Sequence, residues 1–157
     1  MKTLSAPCRS ETIGFFQGGC RTSCFVMKKI GIMNKDISSI IAGMGHNDEL
    51  MICGSAFPIP DGPLRVDLAL EPGLPAFMDV VRVVVKELEV ERIVIANETM
   101  ENSPHRFKEI INFFADKKAE IIPQKDLKER AGKVKACIRT GECTPFSNVI
   151  LVAGVIF

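Results

Sequence analysis

The feature that most limits how this chain can fold is a repeated switch in hydrophobic spacing between Met27 and Phe157. Ile37, Ile40, Ile41 and Met44 recur at the i, i+3, i+4, i+7 interval of one helix face. Asn34 or Asp36 can cap that helix and Gly45 can end it. Leu50–Cys53 then runs apolar without interruption, as a short strand covered on both faces does. Pro58-Ile59-Pro60-Asp61-Gly62-Pro63 cannot supply a ladder of amide donors and is a loop. Leu64–Leu70 alternates, with Arg65 and Asp67 on one side and Leu64, Val66 and Leu68 on the other. Phe77, Val80, Val81, Val84 and Leu88 mark a helix from about Pro75. Its extra Val83 and Val85 widen the apolar face enough to predict an oligomer contact there. Arg92–Ala96 reads as a strand, and Ser103 and Pro104 as N-cap and N1 of a helix facing the core with Phe107, Ile110, Ile111 and Phe114. Glu120–Ile122, Lys133–Arg139 and Asn148–Ala153 are strands, and Lys125–Ala131 is a short helix. This alternation predicts an α/β fold, a single layered domain with a largely parallel sheet flanked by helices.

Residues 1–26 lack that regularity and are rich in Gly, Ser, Thr and Cys. Ile13-Gly14-Phe15-Phe16 is too short for the apolar region of a signal peptide, about 7–15 residues. An Arg-rich, acid-poor transit peptide is one reading of this segment. The favoured one is a disordered or mis-assigned extension ahead of a domain over 27–157. A net charge of +1 gives no broad field for nucleic acid or an anionic membrane, and no apolar run approaches the ~18 residues a membrane span needs. Six cysteines invite a disulfide framework. Cys53 and Cys137, however, sit in apolar strand segments where free thiols are common, and a core this apolar needs no staples. Cys20 and Cys24 lack a second ligand pair, so neither a zinc site nor any other metal or cofactor is expected.

With Trp and Tyr absent, proton-transfer chemistry near neutral pH falls to the two histidines. His46 follows the predicted helix end in Gly45-His46-Asn47-Asp48, where the helix dipole favours its protonated form and Asp48 is placed to fix its tautomer. Spacing alone equally allows a solvated turn histidine. His105 lies in a helix's first turn, beside Arg106, and reads as a surface residue. The connection Gly141–Asn148 offers backbone amides, an amide side chain and the Phe146 ring, groups suited to a sugar or simply to a structural loop. Asp67, Asn97 and Glu98 fall near strand ends as lesser candidates. No phosphate loop, His-Glu-x-x-His or nucleophile elbow occurs.

Several of these segments together resemble a known family. Met27-Lys28-Lys29, Asn34-x-Asp36-Ile37-Ser38-Ser39, Gly45-His46-x-Asp48 and Pro58-Ile59-Pro60 are similar in order and spacing to the D-ribose pyranases of the ribose pyranase / fucose mutarotase family. So are Arg65-x-Asp67-x-Ala69-Leu70, Ile138-Arg139-x-Gly141-Glu142-Cys143-x-Pro145 and Ala153-Gly154-Val155-x-Phe157. The resemblance implies a cytoplasmic, cofactor-independent isomerase interconverting pyranose and furanose forms of D-ribose. It further implies a homo-oligomer, a decamer in the family, with sites between neighbouring subunits. His46 becomes the acid/base residue and Phe146-Ser147-Asn148 the sugar-contacting segment. Related readings are a mutarotase for another monosaccharide such as L-fucose, or a non-catalytic sugar-binding regulatory protein.

Three positions depart from the family. Gly54 replaces an Asp, Gln124 falls where the family has a sugar-contacting His, and Phe146 replaces a Tyr. Each lost sugar hydrogen bond costs ~0.5–1.5 kcal/mol, so the reaction type is more secure than the preferred sugar. Placement adds a constraint. His46 and Phe146–Asn148 precede strands, whereas Gly54, Asn97, Glu98 and Gln124 follow them. Either some strands run antiparallel, or one subunit supplies His46 and its neighbour the remaining groups; the second is expected.

Overall fold

The computed structural model describes residues 28–156. The expected extension over 1–26, together with Cys8, Cys20 and Cys24, lies outside the described residues. The order of elements is α1 (Lys35–Ala42), β1 (Glu49–Cys53), β2 (Leu64–Asp67), α2 (Phe77–Val85), β3 (Val90–Ala96), α3 (Asn97–Asn102), α4 (Pro104–Phe113), β4 (Lys118–Ile122), α5 (Gln124–Ala131), β5 (Ala136–Arg139) and β6 (Asn148–Ala153). The strands form one sheet in the order β2-β5-β1-β6-β3-β4. All neighbouring pairs are parallel except those of β6, which runs antiparallel to both β1 and β3. The α/β fold with a largely parallel sheet is therefore present, with one reversed strand at its centre.

Both faces of the sheet are covered, and the period-2 alternation of the strands divides the core between them. Leu50 and Ile52 of β1, Ile93 and Ile95 of β3, and Val149 and Leu151 of β6 point to the side packed by Ile37 of α1, α2 and Ile110 of α4. Met51 and Cys53, Val94 and Ala96, and Ile150 and Val152 point to the side packed by Phe57 and by Leu127 and Ala131 of α5. Double coverage explains the apolar runs Leu50–Cys53, Ile93–Ala96 and Val149–Ala153 within the central strands.

Local details refine the sequence reading. Asn34 caps α1, its Oδ1 accepting from the Ile37 amide at 3.0 Å, but Gly43 rather than Gly45 ends the helix. On the edge strand β2, Leu64 is exposed and lines a groove with Ser39, Ile40 and Gly43 at the end of α1, whereas Val66 is buried. Ser103 and Pro104 stand at N-cap and N1 of α4 as expected, but the Ser103 hydroxyl makes no capping bond and donates instead to the Pro145 carbonyl at 2.7 Å. The segment from Lys133 enters the sheet only at Ala136. On α2, Phe77, Val81 and Val84 are fully buried while Val83 stays exposed beside a largely apolar groove that includes Ile32 and Met33.

The three described cysteines are free thiols, with Cys53 and Cys137 buried on the neighbouring strands β1 and β5. Burial first, and for Cys53 the adjacent Cys137 as well, pushes these thiols up to about 12 and about 11. Since the thiolate is the reactive form, both are inert in the folded protein. Iodoacetamide at pH 8 is expected to label exposed Cys143 and spare Cys53 and Cys137 until denaturant is added, as mapped by peptide mass spectrometry. Labelling of the two strand thiols at the rate of Cys143 would contradict this burial.

Candidate active site

The reversal of β6 decides which groups meet. Asn148 at its start pairs with Cys53 at the end of β1, so Phe146–Asn148 share a sheet edge with Gly54 and Gln124. The segment joining β5 to β6 is fastened there by many bonds. The Thr140 amide and hydroxyl donate to the Cys53 carbonyl at 2.9 and 3.0 Å, and the Ser55 amide and hydroxyl to the Glu142 carbonyl at 2.8 and 2.9 Å. The Thr99 hydroxyl of α3 donates to the Phe146 carbonyl at 2.9 Å. This contact helps hold Phe146 at φ +59°, a left-handed conformation few non-glycine residues adopt.

A carboxylate anchors the same segment from within. Glu142 accepts from the Thr144 amide at 3.0 Å and hydroxyl at 2.7 Å, and pairs with Arg106 of α4. Burial opposes its charge, but the two Thr144 donors, Arg106 and the Phe77 amide together hold its carboxyl below the usual Glu value. A lowered folded-state value stabilises the protein above the ordinary Glu range, ~4.3, and that contribution is lost as pH falls through the lowered value. Urea melts are accordingly expected to show Glu142→Gln clearly less stable than the parent at pH 7, with the difference shrinking towards pH 3. An equal difference at both pH values would remove the carboxylate from this role.

These groups enclose a cavity of about 270 Å³, towards the small end for ligand pockets and of a size for a monosaccharide. Gly54, Gln124, Phe146, Ser147 and Asn148 all line it. Asn148 Oδ1 accepts from the Gly54 amide at 3.3 Å, so its amide nitrogen is the group it can offer a ligand. Gly54 contributes backbone only: a Cβ there would stand 3.0 Å from the Glu142 carbonyl oxygen. Ser147 Oγ, in a residue only 1% exposed, has no hydrogen-bond partner among the described residues, and neither does Gln124 Oε1. Buried polar atoms left unpaired are rare, and these two belong to residues of one small cavity, where a side-chain rotation would present them to a hydroxylated ligand. Sequence reasoning missed Lys128, which also lines the cavity; the signal was its i+4 spacing from Gln124 on α5. Asn97 Oδ1 is likewise buried and unpaired at the end of β3. Glu98 Oε2 accepts from the Gln124 amide at 2.8 Å, and Asp67 pairs with Arg139 at 2.8 Å.

His46 is not part of that cavity. It lies at the other end of β1, five residues and ~17 Å of strand away. Its turn is tied to β6, the Asn47 amide donating to the Ala153 carbonyl at 2.9 Å and the Ala153 amide to the Asp48 carbonyl at 2.8 Å. The imidazole is half exposed, with Nε2 at 3.0 Å from Glu91 Oε2 and Nδ1 at 3.3 Å from the Asn47 side-chain amide. Asp48 does not touch the ring, contrary to the sequence expectation. Its Oδ2 accepts from the Gly45 amide at 2.9 Å and its Oδ1 is 3.5 Å from Lys135 Nζ, so it braces the turn instead. His105, as expected, is exposed. Among the described residues, no group of three or more His, Cys, Asp or Glu side chains could hold a metal ion, and no helix is long and apolar enough to cross a membrane.

Comparison with known proteins places this architecture. D-ribose pyranase of Bacillus cereus is 45% identical over 131 residues, 83% of this chain and the whole of that protein. D-ribose pyranase of Symbiobacterium thermophilum is 44% identical over the same shares. The structure of Bacillus subtilis RbsD complexed with D-ribose superposes with a TM-score of 0.81 at 41% identity, again over 83% of this chain and all of that one. A fucose mutarotase from Streptococcus pneumoniae, in complex with L-fucose, shares the fold at 20% identity and a TM-score of 0.62, over 79% of this chain and 94% of its own. With residues 27–156 also matching the family's sequence pattern, the chain belongs to the RbsD / FucU transport protein family.

Proposed function

We propose that residues 27–157 form an isomerase that interconverts the pyranose and furanose forms of D-ribose by proton transfer through His46. The observation that carries this is the full-length likeness, above 40% identity, to proteins named D-ribose pyranase and to a relative solved with D-ribose. The small cavity with its unpaired Gln124 and Ser147 oxygens agrees with it. The chemistry needs little. The imidazole takes the anomeric hydroxyl proton as the C1–O1 bond becomes a carbonyl, and returns a proton to the ring oxygen as the C1–O5 bond breaks. Reclosure from O4 moves one proton off that hydroxyl and one onto O1. No net proton, electron or covalent intermediate remains, so one base with two accessible states suffices.

Because His46 and the cavity occupy opposite ends of the sheet, the working site is shared between subunits of a homo-oligomer, with His46 of one chain reaching the cavity of another. The exposed apolar residues Met33 and Val83 beside the α2 groove support such assembly. A ring of ten subunits in the cytoplasm, as the family resemblance implies, is the arrangement we favour. The nearest rival is a mutarotase for L-fucose or another monosaccharide, given the changes at Gly54, Gln124 and Phe146.

Saturation-transfer NMR tests both sugar and site. The protein is expected to speed pyranose–furanose exchange of D-ribose well above buffer and to act less on L-fucose. Ribose exchange at the buffer rate would overturn the reading. At sugar concentrations well below the raised KM of Asn148→Ala, where neither variant alone gives appreciable exchange, His46→Ala and Asn148→Ala subunits denatured and refolded together in equal amounts are expected to regain activity at about a quarter of the sites, as random pairing across a shared interface gives. No recovery in a mixed oligomer would place the whole site within one chain.

A further inference from the structure

We infer that Glu91 is the positioning residue of the His46 imidazole, holding the Nε2–H tautomer so that Nδ1 is the nitrogen that exchanges protons with substrate. The inference rests on the proposed role of His46 in sugar-ring exchange and adds a group to it.

Two departures from regular backbone converge on this contact. The β3–β6 pairing shifts between Val90 and Arg92, so Glu91 is the extra residue of a β-bulge, a device that re-aims a strand side chain. The partner of that bulge is the end of β6, where Val90 faces Ala153 and Arg92 faces Val152. Ala153 also receives the His46 turn, through the bonds from Asn47 and to Asp48. Within the turn, Asn47 takes φ +66°, left-handed for a residue that tolerates it. The same strand end therefore fixes the backbone of both partners, and Glu91 Oε2 meets Nε2 at 3.0 Å. Gly154 completes the arrangement: a Cβ there would come within 3.2–3.3 Å of the Glu91 Cβ and amide nitrogen, so a small residue lets the chain pass without displacing the carboxylate.

The chemistry follows from the inventory of donors. A carboxylate only accepts, so it selects the ring form that carries hydrogen on Nε2. Nδ1 is left with its lone pair, held by nothing stronger than the 3.3 Å contact to the Asn47 amide, which a sugar hydroxyl can replace. When Nδ1 takes the substrate proton, the resulting imidazolium faces Glu91, and the pair gains charge as the ring opens. Glu91 never touches the sugar. It acts on the rate through His46, and sugar affinity should not register its loss.

The experiment uses the full chain, with exchange of D-ribose followed by saturation-transfer NMR over a range of sugar concentrations and with ¹⁵N spectra of the histidine ring. In the parent protein the ring is expected to show hydrogen on Nε2. Glu91→Ala is expected to mix the two tautomers and lower kcat about tenfold or more, the scale of a charged hydrogen bond in a partly exposed site, with KM unchanged. Glu91→Gln, which keeps an acceptor of the same shape, should fall between the two. The ion pair is exposed, 49% and 43% at its two side chains, so melting temperatures should hardly move. A parent ring with hydrogen on Nδ1, or Glu91 variants with parental kcat while His46→Ala is inactive, would overturn the inference and leave the proposed function standing. Full activity in His46→Ala would instead overturn the proposed function itself.

Discussion

Replacing His46 by Ala is expected to lower pyranose–furanose exchange by ~10²–10⁴-fold, the range a positioned general acid–base supplies. The fold should not notice. The ring is half exposed, belongs to no core cluster, and makes its closest contact with an exposed carboxylate. The variant should therefore melt with the parent and bind sugar with the parent's affinity, since the binding groups lie at the other sheet edge. Asn148→Ala should show the opposite signature. Its side chain is buried on the cavity and holds the Gly54 amide, so KM should rise before kcat falls. A single saturation-transfer series, with both constants extracted for both variants, distinguishes proton mover from sugar holder. A His46→Ala protein with parental turnover would end the proposal.

The largest expected stability effect is at Phe77. Truncation to Ala should cost ~3–5 kcal/mol, because the ring is wholly buried and leaves a cavity that α2 cannot close. Against a total of ~5–15 kcal/mol for a domain, that threatens folding at physiological temperature. The residue also links core to site. Arg106 lies over the ring, 5.5 Å from its centroid, and pairs with Glu142, which anchors the segment leading to Asn148. Phe77→Leu separates the two roles, since it keeps most of the packing and removes the aromatic platform. Urea melts should show Phe77→Leu far milder than Phe77→Ala, while sugar affinity weakens in both. A mild Phe77→Ala would mean that the core closes around the gap.

How much of this was legible beforehand depends on where each feature's information resides. The central strands were readable because double coverage leaves long apolar runs in them, Leu50–Cys53, Ile93–Ala96 and Val149–Ala153, with polar residues only towards their starts; Asn148–Ala153 matches to the residue. Helix α3 was not, since Asn97-Glu98-Thr99-Met100-Glu101-Asn102 has no apolar periodicity and only Thr99 is buried. Ser103 carried the marks of a cap but spends its hydroxyl on a carbonyl 42 residues away. Strand direction leaves no local trace, so the reversal of β6 was one of two open geometries. At the site, Gly54, Gln124 and Phe146–Asn148 were reached by resemblance and strand position, and all line one cavity. Asp48 was the plausible partner of His46 by proximity in sequence, and its carboxylate is turned to Gly45 instead. Glu91 could not have been found, because its contact depends on a bulge register between strands 60 residues apart.

The reversed strand has a consequence for assembly of the chain itself. Order β2-β5-β1 and order β3-β4 are two separate ribbons until β6 enters between them and hydrogen-bonds to both. Every other strand precedes β6 in the direction of synthesis, so a nascent polypeptide carries two unzipped hydrophobic edges until the keystone arrives. Such non-local closure is slow and leaves strand edges open to neighbours. Shortening the chain to residue 147 should yield insoluble material rather than a weakened enzyme.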